Sequence, residues 1–102
     1  MEGTSPQSNQ AGKIIEYHIG GFSGVNNTIK GISLTFPPGK ILSISAGRTS
    51  EIILEADFND WWQTPNDLKI AELPICTTPS VQAKNISDNY SKMFRITDVV
   101  NN

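Results

Sequence analysis

Glu51-Ile52-Ile53-Leu54-Glu55-Ala56-Asp57-Phe58, "EIILEADF", alternates with a period of two. Ile52, Leu54, Ala56 and Phe58 fall on one side, and Glu51, Glu55 and Asp57 on the other. That is the pattern of a strand with one dry and one wet face.

Working outward, the same period recurs. Over Lys13 to Ile19, the residues Ile15, Tyr17 and Ile19 share one face, and Ile14, Glu16 and His18 the other. Residues 32–36, "ISLTF", alternate with Ile32, Leu34 and Phe36 inward until Pro37-Pro38-Gly39 stops them, because proline cannot donate to a ladder. "KILSIS" (40–45) reads as a further short strand, residues 68–71 as a brief one, and "FRITDVV" (94–100) as the closing one. Gly20-Gly21 and "SGVNNTIKG" supply turn chemistry. "NDWWQTPND" reads as a short helical turn or loop capped by Asn59 or Asp60. From Ser80, a plausible cap, the period changes: Val81, Ile86, Tyr90, Met93 and Phe94 lie roughly on one helical stripe. The expected fold is all-β and mainly antiparallel: a β-sandwich or open-barrel-like sheet with one C-terminal helix. So few short strands leave exposed edges, which is the look of an incomplete domain.

Residues 1–12, "MEGTSPQSNQAG", are polar and without periodicity, and read as a flexible lead-in to a single β-rich domain over 13–102. A chain of 102 residues has room for one core. Eight basic against ten acidic residues give a net charge of −2, and no basic stripe appears, which argues against nucleic acid as a partner. Apolar runs of two or three residues cannot span a membrane. "MEGTSP" has neither the positive nor the apolar region of a secretory signal, so the expectation is either a cytoplasmic protein or a chain lacking its true N-terminus. Cys76 is the single cysteine, which excludes an internal disulfide. The sequons at Asn26, Asn85 and Asn89 arise easily in an Asn-rich chain.

Chemistry-bearing groups are sparse. One cysteine and one histidine, 58 positions apart, exclude a zinc finger. No Gly-x-Ser-x-Gly elbow or Cys–His signature marks a nucleophile, and the Glu55/Asp57 pair lies on a wet strand face. Gly20-Gly21-Phe22-Ser23-Gly24 is followed by no helix that would hold a phosphate. The expectation is therefore not an enzyme. By pattern alone, His18 is an ordinary wet-face strand residue. Trp61-Trp62 beside Pro65 offers a second possibility, a docking surface for a protein or glycan, against the commoner arrangement of one ring in the core and one over an edge.

"MEGTSP" followed by "YHIGGF", then "NNTIKGISLTF", "ADFNDWW" and "ISDNYSKMFRITDVVNN", in that order, resemble the C-terminal half of the MbnP-like domain family. These are bacterial periplasmic or surface proteins, often lipoproteins, associated with copper. The resemblance covers nearly the whole chain. It implies a β-sandwich whose first half precedes residue 1, a periplasmic or surface location, and copper as the cofactor. It places His18 at the family's "HIGG"-like position as a candidate ligand. The family's oxidised tryptophan lies in a segment upstream of "EGTSP", and Trp61-Trp62 match a different position. The histidine that relatives carry near the last strand has no counterpart in "TDVVNN". The alternative function is a metal-free structural or adhesion module using Trp61 and Trp62 for partner contact.

Overall fold

The computed structural model describes residues 1–102 and places the strands in two separate sheets. In the first, β1 (Glu2–Thr4) pairs antiparallel with β2 (Ile14–Tyr17), and β2 pairs parallel with β4 (Ile75–Cys76). The second is an antiparallel ribbon of β3 (Ser50–Ala56) and β5 (Phe94–Asn101). Helix α1 (Asp60–Gln63) follows β3, and α2 (Val81–Tyr90) precedes β5.

The all-β sandwich or open barrel is thereby overturned. The chain is mixed α/β, about 20% helical and 24% strand, with two small sheets and no closed barrel. Three expected strands, 32–36, 40–45 and 68–71, are missing, and for the first two the reason lies in their hydrogen bonds. Over residues 30–48, the backbone-to-backbone bonds are the turn closures Lys40 N–H to Pro37 O and Arg48 N–H to Ser45 O. Side chains serve the backbone of 41–43 instead. Asn101 Nδ2 donates to Ile41 O, and Asn101 Oδ1 accepts from Ser43 N–H, each at 2.8 Å. Alternation alone does not make a strand where no neighbouring strand offers a ladder. Conversely, Ile75-Cys76 forms β4, a strand that no alternation marks, while 70–72 is a turn.

Residues 1–12 also differ from a flexible lead-in. They contain β1, and Ser8 is buried with its hydroxyl donating to Ile14 O at 2.6 Å. Polar composition hid this segment, because its order comes from backbone pairing and one hydroxyl rather than from apolar burial.

The core is small and forms where the first sheet meets the helices. Tyr17, Cys76, Ala83 and Ile86 are buried together, with Ile15, Ile19, Trp61, Trp62, Leu68, Leu73 and Tyr90 packed around them. Helix α2 starts where the sequence indicated: Ser80 Oγ accepts from Ala83 N–H at 3.1 Å, satisfying one of the orphan donors of the first turn. Its buried face is Ala83, Ile86, Ser87 and Asn89. The fully buried Asn89 ties the helix to the loop after α1. Its Nδ2 donates to Trp61 O (2.8 Å) and Asn66 O (2.7 Å), and its Oδ1 accepts from Asn66 N–H (2.8 Å). The sequon at Asn89 is therefore sealed by the fold. Asp88, on the flank of α2, is paired with both Lys30 and Lys84, which hold its carboxyl below the usual carboxylate range, Lys30 contributing most.

Candidate metal site

The alternation read over 13–19 places Tyr17 in the core, while Glu16 and His18 share the opposite, wet side. Strand β2 is held on both flanks. Tyr17 N–H donates to Met1 O (2.8 Å), while Glu16 N–H donates to Pro74 O and His18 N–H to Cys76 O (both 2.9 Å). The parallel partner thus fixes the backbone of His18, and its ring, half exposed at 50%, stays open to solvent.

Cross-strand register supplies the rest. Glu2 of β1 stands directly opposite Glu16 of β2, so two carboxylates face each other, which is unfavourable without a cation or proton between them. His18 Nε2 lies 2.6 Å from Glu2 Oε1 and 3.6 Å from Glu16 Oε1. One donor atom from each of Glu2, Glu16 and His18 falls within 4.8 Å of the others. Glu2 and Glu16 also line a shallow groove of about 340 Å³ with Gly3, Ile14 and Ile15. Donors around an ion at ~2.1 Å stand about 3.0–3.4 Å apart, and the two distances to His18 bracket that spacing.

His18 alone was expected as a ligand. Both glutamates were missed, Glu2 because it fell in the lead-in and Glu16 because only its place on the same strand face as His18 marked it. The only available signal was the shared wet face of Glu16 and His18. Cys76 is not in the cluster: it is buried, with Sγ 4.0 Å from Ser80 Oγ.

Trp61 and Trp62 lie elsewhere. Both are partly buried against the core. Trp62 meets Tyr17 edge-on at 5.3 Å between ring centroids, and Trp61 lies 5.6 Å from Tyr90. Trp61 Nε1 is buried without a partner. The two indoles are also tilted against each other at 6.3 Å between ring centroids, so both rings contribute to packing around the core.

Tyr17 links core and site. Its hydroxyl donates to Leu73 O at 2.6 Å, and burial, with Cys76 nearby, pushes its pKa to about 12. A phenol whose folded pKa is raised stabilises the fold fully below its unfolded value near 10, and that contribution disappears as pH climbs through about 12. Stability measured by urea unfolding is expected to fall between about pH 10 and pH 12, and Tyr17→Phe is expected to flatten that decline.

No protein-family model matches the sequence, and no curated protein or solved structure does either. No helix is long and apolar enough to cross a membrane.

Proposed function

We propose that the chain is a non-enzymatic metal-binding module, of a periplasmic or surface-exposed kind, that takes copper as Cu(II) at Glu2, Glu16 and His18. The observation that supports this reading most is the convergence of an imidazole and two carboxylates on one sheet face, at 2.6 and 3.6 Å from the imidazole nitrogen. The donor chemistry argues for the oxidation state. Imidazole and carboxylate oxygens suit divalent ions, whereas Cu(I) favours thiolate and thioether ligands, and the one thiol is buried elsewhere. Among divalent first-row metals, such a nitrogen–oxygen set binds Cu(II) most tightly. The copper association implied by the MbnP-like resemblance points the same way.

The test is calorimetric titration with Cu(II), read alongside electron paramagnetic resonance. One ion per chain is expected, in the micromolar range, with a signal showing a single imidazole nitrogen. Glu16→Gln is expected to weaken binding about tenfold or more. The same change is expected to stabilise the metal-free fold by up to ~0.5 kcal/mol, because it relieves the opposed carboxylates. Binding unchanged by this substitution removes Glu16 from the site.

A further inference from the structure

The three proposed donors are not anchored alike. Glu16 and His18 belong to the stretch that β4 holds, through Glu16 N–H to Pro74 O and His18 N–H to Cys76 O. Glu2 comes instead from β1, an edge strand three residues long, exposed at every position and paired on one side only.

The pairing of β1 also carries its own opposition. Met1 N donates to Tyr17 O and Tyr17 N–H to Met1 O, both at 2.8 Å. The next pair along, Glu2 and Glu16, is therefore a non-hydrogen-bonded one. Side chains stand closest at such positions, and like charges there work against the pairing. The contact of Glu2 Oε1 with His18 Nε2 joins groups that are 68% and 50% exposed, where a surface pair contributes little. Without an ion, β1 is held by backbone bonds at an open edge, against two facing carboxylates.

We infer that the ion is the latch of β1: metal held by Glu2, Glu16 and His18 keeps this edge strand down, and loss of the metal lets it open, so the site converts metal occupancy into the order of the first residues. This rests on the copper reading of the site given above. Linkage sets the size of the effect. With β1 in place the ion has three protein donors, and with β1 lifted it has two. The factor that Glu2 adds to the ion's affinity is the factor by which the ion favours the closed strand. That factor is at least about tenfold, the loss seen on removing even an outer partner of a metal ligand.

The test is hydrogen exchange read by mass spectrometry on peptides covering residues 1–17, with calorimetric titration of the same protein. At saturating Cu(II), amides that close the β1–β2 pairing, such as Tyr17 N–H, are expected to exchange about tenfold more slowly than without metal. Glu2→Gln leaves Glu16 and His18 in place. It is expected to bind Cu(II) about tenfold more weakly and, once saturated, to show no slowing. A chain that binds one Cu(II) with its exchange unchanged overturns the inference and leaves the site reading standing. Slowing of equal size in Glu2→Gln does the same. A chain that takes up no Cu(II) overturns both.

Discussion

Asn89→Ala is expected to cost about 3–5 kcal/mol of folding stability, measured as the shift in the urea midpoint at constant slope. The side chain is fully buried and satisfies three backbone groups at once: the carbonyls of Trp61 and Asn66 and the N–H of Asn66. Truncation orphans all three, and each buried unsatisfied group costs about 1–3 kcal/mol. Set against the 5–15 kcal/mol typical of a whole domain, that is enough to unfold a protein with so small a core. A loss below ~1 kcal/mol would mean that water reaches these groups and that the asparagine is not the clamp between α2 and the loop after α1.

The second large effect concerns the metal site. His18→Ala is expected to weaken Cu(II) binding about a hundredfold and to abolish the nitrogen signature in the paramagnetic spectrum, because the remaining donors, Glu2 and Glu16, are both oxygen ligands. The fold is expected to tolerate the change. The ring is half exposed, and the hydrogen bond that anchors this position comes from the backbone N–H to Cys76 O. Far-ultraviolet circular dichroism of the variant should therefore match the parent. Equal binding by both proteins would show that His18 is not a ligand.

Local patterns were legible where a residue's partner was near or its burial was apolar. The period of two over 13–19 and 51–58 corresponds to β2 and β3, the helical stripe after Ser80 to α2, and "FRITDVV" to β5. What failed was the step from strands to layers. Ile32, Leu34 and Phe36 alternate as a strand does, yet no ladder reaches them, and all three stay partly exposed. Hydrophobic period states which side chains match, not whether a neighbouring strand is present. The site was half legible for a related reason. His18 stands out as the sole histidine, but Glu2 joins it only through the cross-strand pairing of Glu2 with Glu16, a long-range fact that no local pattern records. Asn89 was invisible in the same way, because a polar residue on a helix reads as solvent-facing unless its partners are known.

The two sheets also differ in how much chain must be looped to close them. The β1–β2 pairing joins Glu2 to Glu16 and Thr4 to Ile14, whereas β2 meets β4 by bringing Glu16 to Ile75, and the ribbon brings Ser50 to Asn101. Closing the longer loops costs about 1 kcal/mol more in chain entropy, and distant pairings are the slow ones. Glu2 and Glu16 sit in the cheap hairpin, whereas His18 follows it directly with its backbone held by Cys76 O of the distant β4. An ion shared by the three would therefore tie the pairing that closes early to the one that closes late, and would act as a staple across the two stages.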